Sequence, residues 1–266
     1  MSPARVGRGR RPTAGAADAP ASLARRALAE FAGTAALVAI VVGSGIMAAG
    51  LSRDVGVQLL ANSLATAAGL AVLIVIFAPV SGAHFNPVVS LVAWLLTRRE
   101  ADPAVRGRDL AAYLPAQIAG ALAGAVLANA MFALQAVQIS ARDRSAPHLL
   151  LGEVVATAGL IVVIFALARQ GRPALTPVAV GAYIGAAYWF TSSTSFANPA
   201  VTLGRAITDT FAGIAPASVP GFIAAQLAGA GLGGLLLTAL YPNAPRPGTA
   251  PALDTAHQTA AADLPR

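Results

Sequence analysis

His84-Phe-Asn-Pro-Val-Val-Ser90 and Phe196-Ala-Asn-Pro-Ala-Val-Thr202 are two related stretches, and each interrupts a strongly apolar part of the chain. Asn at a helix N-cap accepts hydrogen bonds from first-turn N–H groups, and Pro at the next position has no N–H to leave unpaired. The NH2 group of each Asn side chain remains available as a donor. A single Asn-Pro is typical of a turn. Two helices that begin in mid-membrane and face each other would aim their positive dipole ends and two amide donors at one point, which predicts a pore.

The composition is that of an integral membrane protein. Of the 266 residues, 56% are hydrophobic and 11% are charged, and the mean hydropathy is +0.68. Soluble domains of this size do not show such values. A helix needs about 20 apolar residues to cross a hydrocarbon core of ~30 Å. Six spans are predicted, at 24–50, 55–79, 110–134, 148–168, 174–191 and 217–241.

All 18 basic residues are Arg, and their placement predicts the orientation in the membrane. If the N-terminus is cytoplasmic, fourteen Arg fall on the cytoplasmic side and only Arg53, Arg142 and Arg144 fall on the other, with Arg205 set aside in a re-entrant element. This bias satisfies the positive-inside rule. We therefore expect a multi-pass protein of the cell membrane (inner or plasma membrane) with both termini cytoplasmic. The net charge of +7 then belongs to a solvated face, and no nucleic-acid partner is expected.

Landmarks recur in the same order in the two halves of the chain. Besides the Asn-Pro boxes, Glu30-Phe-Ala-Gly-Thr34 matches Glu153-Val-Val-Ala-Thr157, and Ala116-Gln-Ile-Ala-Gly120 matches Ala225-Gln-Leu-Ala-Gly229. Each half holds three spans, an odd number, so the second copy enters the membrane from the opposite side. Inverted repeats with broken helices at their centre are a transport architecture. The predicted fold is an all-α membrane protein with six transmembrane helices and two re-entrant half-helices.

The half-helices are predicted at Asn86–Leu96 and Asn198–Ile207, and each would be roughly 15 Å long and reach about halfway across the membrane. The two ends of the chain are rich in Pro, Ala, Gly, Arg and Asp and show no apolar period, so we expect disordered tails there. Small residues four apart predict close helix packing; they are Gly120 and Gly124, Gly181 and Gly185, and Gly229 and Gly233. The predicted parts are a tail at 1–20, a channel domain at 21–242 with repeats at about 21–135 and 146–242, and a tail at 243–266.

With these residues the chain resembles the aquaporin, or major intrinsic protein, family, whose hallmark is two Asn-Pro-Ala boxes on facing half-helices. The resemblance covers about residues 24–241 and includes Ser81-Gly-Ala-His-Phe-Asn-Pro87 together with the paired Glu and Gln residues. It implies a six-helix bundle in the lipid bilayer with a pore in each monomer of a homotetramer. It implies no enzyme activity, cofactor or metal. The box residues are Asn86, Pro87, Val88, Asn198, Pro199 and Ala200.

Two positions depart from the family pattern. Val88 replaces the usual Ala of the first box, and Val201 stands where the family places Arg directly after the second box. Arg at that point would supply a fixed positive charge and several donors and would narrow the opening, and Val supplies none of these. Matching the second and fifth spans to the family places the other filter residues. The predicted selectivity filter is Ala68, Tyr188, Ser195 and Val201.

Individual residues receive the following roles. Asn86 and Asn198 are expected to donate hydrogen bonds to permeant molecules. His84 is either a packed loop residue or a pore-lining group. Glu30 and Glu153 lie within spans, where ionisable groups are candidates for function; here we expect them to accept backbone N–H groups of the re-entrant loops. The three His residues have no acidic cluster nearby, so no metal site is predicted.

Two further pairs leave alternatives open. Tyr188 and Trp189 are adjacent, so only one can face the pore, and Tyr188 is the expected one. Arg205 and Asp209 are four residues apart, which predicts an ion pair on the second half-helix. Arg205 at the pore mouth is the less favoured alternative, because it lies a full turn beyond Val201.

The predicted function is a passive channel for small neutral solutes, with a filter widened by the missing Arg. The expected solutes are water together with larger neutral molecules such as glycerol, urea or undissociated arsenous acid. A subgroup of bacterial aquaporins tied to arsenic handling looks similar, with Val after the second box. One alternative is a water-selective aquaporin. A less favoured one is a secondary transporter with inverted repeats, which would need a buried carboxylate or ion site near the midplane.

Overall fold

The computed structural model describes residues 21–100 and 103–242, and in these ranges the chain forms helices and loops without a strand. The expected tails at 1–20 and 243–266 lie outside the described residues. The described part contains eight α-helices, which are α1 (Leu23–Leu51), α2 (Val55–Ser81), α3 (Pro87–Thr97), α4 (Gly107–Met131), α5 (Pro147–Arg169), α6 (Thr176–Phe190), α7 (Pro199–Arg205) and α8 (Val219–Leu240).

Five of these helices, α1, α2, α4, α5 and α8, are long and apolar enough to cross a membrane. The remaining predicted span, 174–191, is α6, which has only 15 residues. A 3-10 turn at Pro173–Leu175 precedes it directly. Turn and helix together rise about 28 Å, nearly the thickness of the hydrocarbon core. The predicted all-α architecture with six membrane-crossing segments is confirmed.

The two half-helices begin where the sequence predicts, at the Pro of each box, but they differ in length. The first, α3, has 11 residues, whereas α7 has 7 and ends at Arg205, before the predicted Ile207. The carbonyls of Ala206 and Ile207 accept hydrogen bonds from the backbone N–H groups of Ser140 and Gln138, at 3.1 and 3.0 Å. Because the α4–α5 loop takes these carbonyls, the helix does not continue.

The bundle has two distinct faces. Arg26 pairs with Asp109 at 2.7 Å, which joins the start of α1 to the start of α4. Arg169 donates to the carbonyl of Tyr241, which joins the end of α5 to the end of α8. We call this the terminus face. The opposite side, which carries the α4–α5 connection at 132–146, is the loop face. The α2–α3 loop enters from the terminus face and the α6–α7 loop enters from the loop face.

The inverted repeat is visible in the packing. A Cβ added to Gly120 would lie 2.3 Å from the carbonyl oxygen of Phe31, so α4 touches the backbone of α1. A Cβ added to Gly229 would lie 2.5 Å from the carbonyl oxygen of Val154, so α8 touches α5 in the same way. Backbones approach this closely only where a side chain is missing. The two helix pairs occupy corresponding places in the two halves and hold the half-helices between them.

Candidate functional site

Each box asparagine caps its own half-helix. The Oδ1 atom of Asn86 accepts from the backbone N–H of Val88 at 3.1 Å. Oδ1 of Asn198 accepts from Ala200 and Val201 at 3.0 and 3.2 Å. These bonds satisfy first-turn N–H groups that have no partner within the helix. The side-chain oxygens are thereby fixed, and the amide nitrogens point away from the half-helices.

The same asparagines tie the two halves together. Nδ2 of Asn86 donates to the carbonyl of Ala197 at 2.7 Å, and Nδ2 of Asn198 donates to the carbonyl of Phe85 at 2.8 Å. A side-chain amide carries two N–H hydrogens, and each of these bonds uses one. The second hydrogen of each amide is left for another acceptor. Both side chains line the central cavity, so that acceptor can be a molecule passing through it.

The loops that lead to the boxes contain non-glycine residues with positive φ. Ala83 and Phe85 have φ of 52° and 50°, and Ser195 and Ala197 have 54° and 48°. The two pairs are related by the same 112-residue offset as the boxes. A left-handed conformation costs an L-residue roughly 1–2 kcal/mol, so such loops persist only when surrounding contacts hold them.

The carboxylate of Glu30 fixes the first loop through hydrogen bonds. Its Oε1 accepts from Ser81 Oγ at 2.6 Å and from the N–H of His84 at 3.0 Å. Its Oε2 accepts from the N–H of Phe85 at 2.7 Å and from Nε2 of Gln117 at 2.8 Å. The carboxylate is fully buried and faces the loop backbone rather than the cavity.

Glu153 holds the second loop in the same manner. Oε1 accepts from the N–H of Phe196 at 2.8 Å, and Oε2 accepts from the N–H of Ala197 at 2.8 Å and from Nε2 of Gln226 at 2.7 Å. Gln226 also donates to Thr202 Oγ1 on α7 at 2.9 Å. Each Glu therefore connects a loop to a spanning helix, and the duplicated network fixes the backbone next to both boxes.

A cavity of about 150 Å³ passes both box asparagines. It extends from the start of α6 at the terminus face to the end of α7 at the loop face. Most of its wall is apolar, with side chains such as Leu70, Ile74 and Leu160. The polar side chains along it are Thr66, His84, Asn86, Thr176, Tyr188, Ser195, Asn198 and Arg205. A mostly apolar wall with a few placed polar groups is typical of a site for small molecules.

Three of the four predicted filter residues line this cavity, and one does not. Tyr188, Ser195 and Val201 are in the wall. Ala68 is exposed on the outer surface of α2 and lies outside the lining. Its place is taken by Thr66, whose Oγ1 lies 3.2 Å from the hydroxyl oxygen of Tyr188. Successive helical residues are about 100° apart, so a shift of two positions moves a side chain to the opposite face.

His84 is both packed and pore-lining, so the two alternatives for it are compatible. Its Nδ1 lies 2.9 Å from Ser90 Oγ, and its ring meets the ring of Tyr113 edge to face at 5.7 Å between centroids. The side chain also lines the central cavity. These contacts fix the imidazole on the terminus-face side of Asn86. Among the described residues, no group of three His, Asp or Glu could hold a metal ion.

In each of the two remaining predicted pairs, the two residues have different surroundings in the structure. Tyr188 lines the cavity, whereas Trp189 is half exposed on the outside of the bundle. The predicted ion pair between Arg205 and Asp209 is not formed: Asp209 accepts from the α4–α5 loop, and Arg205 donates through Nε to the carbonyl of Ala212. Arg205 is buried and lines the cavity, so the less favoured alternative for this residue describes its position.

Sequence reasoning missed Thr66, and for Arg205 it preferred the ion pair with Asp209 over the position at the pore mouth. A signal for Thr66 was present, because Asn62, Thr66, Leu70 and Ile74 follow one another at helical spacing and form a stripe that begins with two polar residues. All four are buried. No comparable signal existed for Arg205, because its position depends on a bond to a loop seven residues further along the chain.

Comparisons with known proteins agree with this geometry. The family model for Major intrinsic protein matches residues 19–197. The chain is 53% identical over 208 residues to aquaglyceroporin AqpS of Rhizobium meliloti (strain 1021), covering 78% of this chain and 86% of that protein. It is 34% identical over 231 residues to the glycerol uptake facilitator protein of Pseudomonas aeruginosa, covering 75% and 79%.

A solved structure shows the same fold. The X-ray structure of the aquaglyceroporin from Plasmodium falciparum superposes with a TM-score of 0.59 at 20% sequence identity, and the match covers 83% of this chain and 96% of that one. Since the family model matches about two thirds of the sequence, the relationship does not depend on the fold alone. The chain belongs to the major intrinsic protein family and is a membrane channel rather than an enzyme.

Proposed function

We propose that the protein is a passive channel of the cell membrane for water and small neutral hydroxylated or amide solutes, namely glycerol, urea and undissociated arsenous acid. The observation that carries the proposal is Val201, an uncharged side chain that lines the cavity at the position directly after the second box. The relatives described as an aquaglyceroporin and a glycerol uptake facilitator support the same class of solute.

The chemistry of the wall fits such solutes. We assign the filter to Thr66, Tyr188, Ser195 and Val201. The Oγ of Ser195 is buried without a partner among the described residues, so it is free to bond a solute hydroxyl. The paired hydroxyls of Thr66 and Tyr188 line the same cavity. A polyol can bond to this polar strip while its carbon chain contacts the apolar wall, which favours neutral solutes with several hydroxyl groups.

The transport mode proposed is passive flow. A coupled transporter would need an ionisable carboxylate in the translocation path. Among the described residues, neither Glu30 nor Glu153 lines the cavity, and both carboxylates are occupied by backbone and Gln donors. Val88 of the first box is also buried and uncharged and brings no ionisable group to the path. The direction of flow then follows the solute gradient.

The assembly and orientation belong to the same proposal. A homotetramer is expected from the family resemblance, and large apolar side chains such as Leu64 on α2 and Leu235 on α8 are exposed for contact with lipid or a second copy. The terminus face is assigned to the cytoplasm because the fourteen Arg of the predicted cytoplasmic side belong to that face and to the two terminal segments. The loop face is then the outer one.

A permeability panel tests the proposed filter. Proteoliposomes with the unchanged protein should pass water, glycerol, urea and arsenite faster than protein-free vesicles in stopped-flow and uptake assays. Val201→Arg narrows the filter and adds a charge, so it should lower the rates for the larger solutes by at least about tenfold and the water rate by less. Val201→Leu, which adds bulk without charge, is the matched control.

Two outcomes would reject the assignment. If water passes rapidly while glycerol and arsenite do not, the channel is a water-selective aquaporin. If Val201→Arg leaves the larger solutes unaffected, Val201 is outside the narrowest part of the path. Flux that depends on an ion gradient would instead indicate a transporter.

A further inference from the structure

Three arginines gather at the loop face around one short segment. The carbonyls of residues 211–213 accept, in chain order, from Arg142, Arg205 and Arg144. Each guanidinium thus has one fixed anchor on the same segment. Since three successive carbonyls are used in this way, the positions of the three positive charges depend on one another.

Two of these guanidiniums also share an aromatic ring. The Cζ atom of Arg205 lies 3.3 Å from the centroid of the Phe196 ring, and the Cζ of Arg144 lies 5.0 Å from it. A cation above an aromatic face is attracted by the ring quadrupole, more strongly when both are removed from water. Phe196 is itself held through its N–H by Glu153. The two charges are therefore fixed relative to the second box.

Arg205 lies where two cavities meet. A second cavity of about 240 Å³ opens at the loop face, and its wall includes Leu59, Arg142, Asp143, Arg144, Thr194 and Arg205. Of the described residues, Arg205 is the one found in the walls of both this outer cavity and the central cavity. A molecule that moves from one to the other passes its side chain.

In the described part of the chain no carboxylate forms an ion pair with these three arginines, although Glu153 attracts Arg144 and Arg205 through space. The wall of the outer cavity holds these three Arg and one acidic residue, Asp143. Asp143 accepts from Ser145 and Ser218, and Asp209 accepts from the α4–α5 loop. No acceptor among the described residues takes the terminal nitrogens of Arg205. Burial lowers the pKa of Arg144 to about 10, which leaves its guanidinium charged at neutral pH. The outer cavity is therefore electropositive.

We propose that Arg205, supported by Arg144, is the residue that sets charge selectivity at the mouth of the channel on the loop face. It stands one helical turn, about 6 Å, beyond Val201. The filter position can then be wide and apolar while cations are still repelled before they reach it. This inference rests on the proposed channel function and adds to it a cationic group at a different depth.

Single-cysteine reporters test the proposal directly, because the natural chain contains no cysteine. Leu59→Cys places a thiol in the wall of the outer cavity, and Gln135→Cys places one on the exposed α4–α5 loop. The measurement is the reaction rate of each thiol with an anionic and with a cationic methanethiosulfonate of similar size, in proteoliposomes. A positive cavity concentrates the anionic reagent.

We expect the anion-to-cation rate ratio to be on the order of tenfold higher at Leu59→Cys than at Gln135→Cys, and to shrink toward the surface value in 1 M salt. Adding Arg205→Gln should lower this ratio by about half or more, and the part that remains is due to Arg144 and Arg142 in the same wall. Arg142→Gln is the matched control, since it removes the same kind of carbonyl anchor from the same segment. Arg142 lines the outer cavity too, but its side chain is exposed to water, which screens its charge. Arg142→Gln should therefore lower the ratio by clearly less than Arg205→Gln does.

Equal ratios at the two thiols would overturn the proposal, as would a loss with Arg142→Gln as large as with Arg205→Gln. If Arg205→Gln does not fold, Thr194→Asp keeps Arg205 and adds a carboxylate to the same cavity. Thr194→Asp must then reduce the anion-to-cation rate ratio at Leu59→Cys, and the neutral Thr194→Asn must leave this ratio unchanged. Labelling needs no solute flux, so a channel that fails the permeability panel can still show the charge preference, and the two failures are distinguishable.

Discussion

At the scale of single residues, the box asparagines combine two tasks in one side chain. The oxygen of Asn198 caps α7, and its nitrogen bonds to the carbonyl of Phe85 in the opposite half. Asn86 does the same for α3 and Ala197. Only a side-chain amide of this length offers an acceptor and a donor together, so Asp would lose the donor and Ser would lose the reach. The pore centre depends on both amides at once.

Glu153→Gln should weaken the fold more than it changes selectivity. The two carboxylate oxygens accept from Phe196, Ala197 and Gln226, and Gln would present an NH2 group to at least one of these donors. A buried donor left without an acceptor costs about 1–3 kcal/mol. We expect a lower yield and a lower melting temperature in detergent, with nearly unchanged ratios between solute permeabilities.

The matched control is Glu100→Gln, the same change at an exposed residue, which should leave the melting temperature unchanged. A Glu153→Gln protein that melts normally but loses a dependence of flux on the proton gradient would contradict the supporting role. It would indicate a proton-coupled site instead.

The residues that line the pore were only partly predictable from sequence. Asn86, Asn198 and Val201 follow from the boxes, whose chemistry fixes their positions along the half-helices. Ala68 was placed on α2 by pattern matching, and α2 is apolar over most of its surface. The stripe that begins with Asn62 and Thr66 was the available signal for its inner face, and the matching did not use it. The structure turns the helix so that Thr66 faces the cavity.

At the scale of secondary structure, glycines decide how closely the helices cross. In α8, Gly233 faces α5, and a Cβ there would lie 2.5 Å from the carbonyl oxygen of Ala158. Gly234, the next residue, has nothing within 4 Å of such a Cβ. Substitutions at these two positions therefore distinguish the effect of helix packing on stability from the effect of backbone freedom, within the same helix.

Gly233→Ala should destabilise the protein and Gly234→Ala should not. The first substitution forces α8 away from α5, which corresponds to overpacking by about 1–3 kcal/mol. The second replaces Gly by a better helix former in open space and should be neutral or stabilising by up to about 1 kcal/mol. Thermal melting of both variants in one detergent tests this. Equal shifts for the two would show that α5 and α8 do not touch as described.

The spanning elements were predictable because length and hydropathy alone define them. All six predicted spans agree with the observed helices to within three residues at each end. The second half-helix was not predicted as well, since α7 ends at Arg205 and the α4–α5 loop takes the carbonyls of the next two residues, Ala206 and Ile207. That competition comes from a distant segment, and no local pattern contains it.

At the scale of the whole molecule, the inverted repeat is symmetric in its scaffold but not in its charge. Glu30 and Glu153 hold the two loops alike, and the asparagines cross-bond alike. The repeat offset of 112 residues between the boxes places Ala93, a buried residue of α3, in correspondence with Arg205. Among the described residues, the wall of the central cavity therefore has an Arg at its loop-face end and none at its terminus-face end. A cation meets one barrier at the loop-face end and a second at the centre, where opposed helix dipoles meet.

Because of this asymmetry the two ends of the channel differ in charge. The orientation of the protein in the membrane can be tested with two matched cysteine reporters. Gln135 and Gln170 are both exposed, the first on the loop face and the second beside the α5–α6 turn of the terminus face. Each is changed to Cys in the cysteine-free chain. If the Arg distribution places the terminus face in the cytoplasm, a membrane-impermeant maleimide added to intact cells should label Gln135→Cys. Gln170→Cys should be labelled only after lysis. The reverse labelling pattern would mean that the cationic mouth faces the cytoplasm. Arg205 would then be the first charged group met by solutes that enter the channel from inside the cell.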